Sequence, residues 1–428
     1  MSEMGERLRV LQVHSHYAPG WGGEGTVVEL ERQLLRGRGH VVEQFQTSNA
    51  PLKNAHVLRQ VAQVPGFLWS HASYRGLRRK ISEFKPDIVH VHNTFPMLSP
   101  SVFWAARHAG APVVQTLHNF RHVCANSLLL RDDEQCEECV GHAPWRALRY
   151  RCYAHSAWRT AVVVSVNALH LRLRTYTRAV DAYIALNNAS RDIFRRAAIP
   201  EHKLFVKSNF VPATSLRTGD RKRQAIFVGA ITRSKGVHLL LEAWARAALT
   251  DFNLLLVGEG PERKELQRQY AQVPNVMWTG RLEREEGLAH VASSRLLVFP
   301  SLAYENCPMV LLEALSVGTP AVVANHPTLR MIVCNHREGL TFQAGDAHAL
   351  AAALRQGLLA EEATWSSWSR AARQAHGERY SDAVNYPQLI SIYRTVIERR
   401  TAHAHECEPD ATITQVVNSH YSANEMGK

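Results

Sequence analysis

The sequence predicts an α/β protein of two doubly wound domains, each a parallel sheet covered by helices, facing one another across a cleft. Three observations predict it. Near the N-terminus a strand over 8–17, with Val10, Leu11 and Val13 at its core, runs into the glycine turn Gly20-Trp21-Gly22-Gly23. A helix with Val27, Val28, Leu30, Leu34 and Leu35 on its apolar face follows, then a strand over 41–46. Strand, glycine turn, helix and strand make a βαβ unit, which requires parallel strands. A second series starts at Ala225, with strands over 225–228, 254–257, 275–279, 296–299 and 321–323 alternating with helical stretches. Between the two lies 206–222, polar and carrying Pro212 and Gly219, which reads as a linker.

Each element has its own signal. Further front-half strands are predicted over 88–92, 113–117 and 182–186, short apolar runs that suit strands buried on both faces. In the back half, helices are predicted over 237–248, 262–271 and 310–317, the second entered through Gly258-Glu259-Gly260-Pro261. The domains are therefore drawn as 1–205 and 223–385. A helix over 386–400 has apolar residues at helical spacing (Leu389, Ile390, Tyr393, Val396, Ile397), and 401–428 is expected to be a disordered tail.

Composition bounds the function. The chain has 428 residues, 46% hydrophobic and 21% charged, as in ordinary globular proteins. The N-terminus is polar, and the longest mostly apolar run, 161–171, is about half of the ~20 residues that cross a bilayer. A cytoplasmic protein is the expectation. The net charge of +12 is uneven: residues 1–205 hold 26 Lys and Arg against 16 Asp and Glu, leaving 24 against 22 for the rest. A basic front half suits nucleic acid, anionic lipid or phosphorylated small molecules. No nucleic-acid motif accompanies it, so nucleic acid is not an expected partner.

The motifs with chemistry lie at the predicted strand ends. Tyr304-Glu305-Asn306-Cys307-Pro308-Met309-Val310-Leu311-Leu312-Glu313 sets two glutamates eight positions apart across a helix start. Unpaired N–H groups and the positive dipole end at such a start suit a phosphate, and a carboxylate suits sugar hydroxyls. A second strand-to-helix loop, Gly229-Ala230-Ile231-Thr232-Arg233-Ser234-Lys235-Gly236, places Lys235 where its charge can meet phosphate oxygens. Gly22 and Gly23 allow close approach of backbone to a ligand. His118 ends the strand over 113–117, where an open α/β sheet lines its crevice. His90 and His92, one strand earlier, read as structural histidines, and Gly258 as either a plain turn or an edge of a base pocket.

With these motifs the chain resembles, over roughly residues 8–398, the family-4 (group 1) glycosyltransferases, retaining enzymes of GT-B fold with two Rossmann-like domains. The resemblance implies that Glu305 contacts donor-sugar hydroxyls and Glu313 the ribose. It implies that the segment of Asn306, Cys307, Met309 and Val310 holds the diphosphate, and that Lys235 neutralises its charge as it leaves. Gly22 and Gly23 would face donor phosphates and acceptor, and His118 the donor sugar. An arginine usual after the first glycine of the lysine loop is replaced here by Ala230, so Arg233 is the substitute considered. The catalytic set expected is His118, Lys235 and Glu305. No Asp-x-Asp occurs, so no ligand pair for a metal-chelated diphosphate is evident and catalysis is expected to need no cofactor. The function implied is retaining transfer of a hexose from a UDP-, GDP- or ADP-sugar to a glycan or lipid-linked acceptor, in cell envelope polysaccharide synthesis at the cytoplasmic membrane face. The rivals are a nucleotide-sugar epimerase of the same fold and a basic nucleic-acid-binding protein without enzymatic activity.

Two features stand beside this reading. Cys124, Cys136, Cys139 and Cys152 fall within an insertion over 119–155, with spacing open to a structural zinc or to four unligated thiols. Aromatic and basic residues intermingle at Phe67, Leu68, Trp69, Tyr74, Arg75, Arg78, Arg79 and Lys80, and again from Trp145 to Arg159. That mixture suits an anionic membrane surface, and equally a core with a solvated basic face.

Overall fold

A computed structural model describes residues 7–16, 23–49, 61–197, 199–214, 216 and 221–406. Gly22 and residues 407–428 of the expected tail lie outside the described residues. The first sheet holds β1 (Arg9–His16), β2 (Val41–Ser48), β3 (Ile88–Asn93), β4 (Val113–Leu117), β7 (Ala182–Ala185) and β8 (Leu204–Val206), in the order β2-β1-β3-β4-β7-β8. The second holds β9 (Lys222–Val228), β10 (Asn253–Val257), β11 (Val276–Gly280), β12 (Ser294–Phe299), β13 (Ala321–Ala324) and β14 (Gly339–Phe342), in the order β11-β10-β9-β12-β13-β14. All neighbouring strands of both sheets pair in parallel. A two-stranded hairpin, β5 (Leu130–Arg131) and β6 (Glu134–Gln135), stands in the cysteine insertion.

The strand orders locate the crevices. In the first sheet the chain runs outward from β1 to β2 and then restarts on the other side of β1 with β3. In the second it runs β9, β10, β11 and restarts beside β9 with β12. The loops after the two strands at such a reversal diverge to opposite faces and leave a gap at the carboxyl ends, where ligands of open α/β sheets bind. The C-domain gap lies between the loop after β9, carrying Lys235, and the loop after β12, carrying Glu305.

Burial explains why these runs form strands. β3 and β4 are buried along their whole length, and Val10, Leu11 and Val13 of β1 have no exposed surface. The final helix, Asp382–Glu406, leaves the second domain and packs on the first. Its Leu389, Ile390, Ile392, Tyr393 and Val396 join Val10, Leu35, Ile88, Val114 and Ile184 in one core. It runs to Glu406, beyond the expected end at 400, because no helix-stopping Gly or Pro follows Arg400 in that stretch. The stretch expected to be a polar linker is buried where it begins. Phe210 and Val211 enter the second domain's core, and Lys207 and Asn209 are also enclosed.

Candidate active site in the interdomain cleft

Lys235 and Glu305 meet as the topology requires. Lys235 ends a turn of 3-10 helix, Arg233–Lys235, and Gly236 follows at φ +70°; a Cβ there would lie 2.1 Å from the Pro300 carbonyl oxygen, so only glycine brings the two loops together. Lys235 Nζ is 2.5 Å from Glu305 Oε1, which also accepts from Ser301 Oγ at 2.8 Å. The Lys235 ammonium stands 5.6 Å from the centre of the Phe299 ring. Four residues on from Glu305, helix Met309–Ser316 begins behind Pro308, a residue without an N–H in a place where helix donors are unpaired anyway.

Two helix N-termini converge there. Helix Gly23–Gly37 of the first domain starts against the start of Met309–Ser316: a Cβ on Gly23 would lie 3.1 Å from Met309 Cγ. Unpaired N–H groups from both domains therefore border one spot, four residues along the chain from the Glu305 that Lys235 pairs with, an arrangement suited to an oligophosphate.

Glu313, in that helix, is mostly enclosed and pairs with Arg284 Nε at 2.7 Å. Burial pushes its carboxyl above the usual range against the pull of Arg284. His118 stands at the end of β4, half-buried, with Nε2 3.0 Å from His92 Nδ1. Burial first, then His92 and His14, hold it well below the ordinary histidine range, so it is neutral at pH 7.

Other expected site residues sit differently. Arg233 is turned to the first domain's insertion, with Nε 2.8 Å from Asp133 Oδ2, rather than inward beside Lys235. Gly258 is explained by packing: at φ +147° its Cβ would strike the Gly229 carbonyl, and its N–H bonds Gly280. Asn306 spans the domains, donating Nδ2 to the Leu117 carbonyl at 3.1 Å while its own carbonyl accepts from Asn187 Nδ2. The Cys307 carbonyl accepts from Asn209 Nδ2 at 2.9 Å, so these two residues join the domains directly beneath the helix start.

Sequence reasoning missed Glu24, Arg284, Ser301 and the insertion's reach. Glu24, in the first turn after Gly23, accepts from Asn119 Nδ2 at 2.7 Å and Asn93 Nδ2 at 3.0 Å, and burial raises its pKa. The only sequence signal for it is an acidic residue beside the glycine pair. The insertion crosses to the second domain at residues flanking the site: Leu128 O accepts from Tyr304 N at 3.1 Å, and Tyr304 donates its hydroxyl to Glu137 at 3.1 Å.

The four cysteines form no disulfide and lie in one neighbourhood, where burial and then Cys124, Cys152 and Cys136 push the Cys139 thiol up to about 11. Among the described residues, only Glu31, His90 and His92 bring three potential ligand atoms within 4.8 Å of one another; the sulfurs are spaced more widely.

A GT-B glycosyltransferase is the class this fold and cleft define. Residues 21–214 match the family model "Glycosyltransferase Family 4" and residues 214–375 the model "Glycosyl transferases group 1", meeting inside the stretch between the two sheets. The chain belongs to this family of glycosyltransferases. Among curated relatives, it is 24% identical over 405 residues to the phosphatidyl-myo-inositol mannosyltransferase of Mycobacterium leprae, covering 91% of this chain and 97% of that one. It is 22% identical to the alpha-monoglucosyldiacylglycerol synthase of Streptococcus pneumoniae, covering 80% and 77%. Of solved structures, sucrose-phosphate synthase from Thermosynechococcus elongatus superposes with a TM-score of 0.67 at 17% identity, covering 92% of this chain and all of that one. Anabaena HepE in complex with UDP-glucose gives 0.61 at 16%, with the same coverage.

Proposed function

We propose that the chain transfers a hexose, with retention at the anomeric carbon, from a nucleoside-diphosphate sugar to a hydroxyl of a lipid-linked or polysaccharide acceptor, without a catalytic metal. The convergence of the helix starts at Gly23 and Met309, four residues on from the Glu305 that pairs with Lys235, carries this reading. An incoming diphosphate draws Lys235 from Glu305 and lies against the amide groups. Glu305, released, accepts from sugar hydroxyls, and Glu313 from the ribose. The bond from the anomeric carbon to the diphosphate oxygen breaks as the acceptor oxygen bonds to that carbon on the same face. The acceptor hydroxyl proton leaves on the departing diphosphate. Helix dipoles and Lys235 stabilise the charge that develops, which is the larger part of such catalysis. The curated relatives named for lipid acceptors, and the neighbour solved with UDP-glucose, support this choice of donor and acceptor class.

A thermal-shift screen of UDP-, GDP- and ADP-sugars tests the donor half. At a hundredfold excess over Kd a ligand adds about 2.7 kcal/mol of stability, a shift of several degrees in a chain this size. One nucleotide class is expected to give that shift, and Glu313→Ala to abolish it. A full shift in the variant would remove Glu313 from the ribose.

The acceptor half includes docking on the cytoplasmic leaflet. Among the described residues no helix is long and apolar enough to cross a membrane. Of the two aromatic–basic regions, Phe67, Leu68 and Trp69 are partly covered, Trp69 stacking on His170. Trp145 (63% exposed), Leu148, Tyr150 and Trp158 face outward beside Arg146, Arg149, Arg151 and Arg159. Vesicles containing phosphatidylglycerol are expected to sediment the protein and neutral ones not, with Trp145→Ala/Trp158→Ala losing most of that recovery. Equal, salt-insensitive recovery on both would refute docking.

A further inference from the structure

Glu31 is a carboxylate in an unfavourable place. Its side chain is 1% exposed, in the middle of helix Gly23–Gly37. Ionising it there demands compensation from fixed partners. Three side chains from two parts of the chain supply it. Oε1 lies 2.8 Å from His90 Nδ1 and 3.5 Å from His92 Nε2, both on β3, and Oε2 lies 3.7 Å from Lys207 Nζ, just after β8. From the final helix, the Tyr393 hydroxyl is 2.7 Å from His90 Nδ1, and Asn385 Oδ1 accepts from Lys207 Nζ at 3.0 Å. His90 Nε2 is taken by Thr116 Oγ1 at 2.8 Å.

The cluster reaches His118 through one side chain. His92 Nδ1 is 3.0 Å from His118 Nε2, with the rings stacked at 5.3 Å between centroids. Donor and acceptor counting then fixes the protons. Burial pulls upward on Glu31, but His90 and His92 hold it well below the usual carboxylate range, and Lys207 balances its charge. An ionised carboxylate only accepts. The His92 nitrogen facing it is Nε2, 3.5 Å away, buried and without a hydrogen-bond partner; a bare lone pair there would face the carboxylate's negative charge, so the single proton of neutral His92 belongs on Nε2. Nδ1 of His92 is left as an acceptor. His118 must then donate from Nε2, which leaves its Nδ1 without a proton.

We infer that Glu31 is a positioning residue: through His92 it fixes His118 as the Nε2–H tautomer, so that His118 presents Nδ1 as a hydrogen-bond acceptor for a substrate hydroxyl. The inference rests on the proposed place of His118 beside the donor sugar. The same cluster ties that tautomer to the junction between domains, since Lys207 and the final helix complete the surroundings of Glu31.

The test is long-range ¹H–¹⁵N correlation NMR of the full chain labelled at histidine nitrogens, at pH 7.5, with the His118 signals identified by their loss in His118→Gln. The wild type is expected to show His118 protonated at Nε2. Glu31→Gln, whose amide can donate to His92, is expected to move His118 towards the Nδ1–H form. Its kcat should fall about tenfold or more at nearly unchanged donor KM, as when a group that orients a working histidine is lost. If Glu31→Gln does not fold, His92→Phe keeps the ring and removes the acceptor, and should leave His118 exchanging between both forms. A wild-type Nδ1–H tautomer, or a His118 unchanged in whichever variant folds, would overturn the relay. Wild-type turnover by His118→Ala, with the tautomer shift intact, would instead overturn the placement of His118 at the reacting sugar.

Discussion

Lys235→Met is expected to slow sugar transfer by about 10²–10³, the loss seen when one preorganised group facing developing charge is removed. Methionine keeps the stem beside Phe299 and removes only the ammonium 2.5 Å from Glu305. The effect should fall on kcat more than on donor KM. In the resting site the ammonium is already paired with Glu305, and its full value appears when a diphosphate leaves with more charge than it had in the donor. Lys235→Arg is expected to rescue little, because a planar fork cannot occupy the space between Ser301 and Glu305 as a point charge does. Glu305→Gln combined with Lys235→Met should cost less than the sum of the single changes, since the two groups are in direct contact. Steady-state rates with the donor found by thermal shift measure all of this. A Lys235→Met enzyme with unaltered kcat would show that the leaving group is stabilised elsewhere.

What the sequence made legible were the local features. Alternating strands and helices, and Pro308 ahead of an apolar helix, each follow from residues within a dozen positions, and each stands in the structure, while Gly20 to Gly22 of the glycine turn lie outside the described residues. Lys235 and Glu305 are 70 residues apart. Their meeting was still readable, because a strand order that reverses at β9 brings the two following loops together. Contacts between domains were not readable. Arg233 resembles a phosphate ligand for its nearness to Lys235, but Asp133 of the insertion holds it. Within the second domain, Gly258, which resembles the rim of a base pocket, is also held close to the Gly229 carbonyl, a constraint no local pattern signals. His90 and His92 were read as structural. His90 is so, with partners at both ring nitrogens, whereas His92 touches His118. Glu31, between Leu30 and Arg32, looks like one more charge on an amphipathic helix. Its burial depends on the final helix returning to the first sheet, a packing event that no local pattern encodes.

Acidification from pH 7.5 to 5 is expected to remove most of the protein's stability, and histidines rather than carboxylates should begin the loss. Burial holds His14 down to about 3, with His92 and His16 adding to it. Burial and His90 hold His92 down to about 4, and burial and His170 hold His122 down to about 4. In the unfolded chain each titrates near 6.5. Below that value the unfolded state binds protons that the folded state refuses, so stability present above pH 6.5 drains away as pH falls towards the folded values. Each group contributes about 1.4 kcal/mol per pH unit in this window, and three give roughly 4. At pH 5 the loss is then about 6 kcal/mol, within the 5–15 kcal/mol of a typical folded protein. His14 and His92 face each other at 6.3 Å, so protonating one makes the other harder still to charge and draws out the lower end of the transition. Urea midpoints at pH 7.5, 6.5, 5.5 and 5.0 measure the slope. His122→Phe suits the edge-on contact with Tyr176 at 4.5 Å and removes a nitrogen that has no partner; it should lower the slope by about 1.4 kcal/mol per pH unit. A midpoint that stays level from pH 7.5 to 5 would mean that these imidazoles take up protons in the folded state, and the neutral His92 on which the tautomer of His118 depends would go with it.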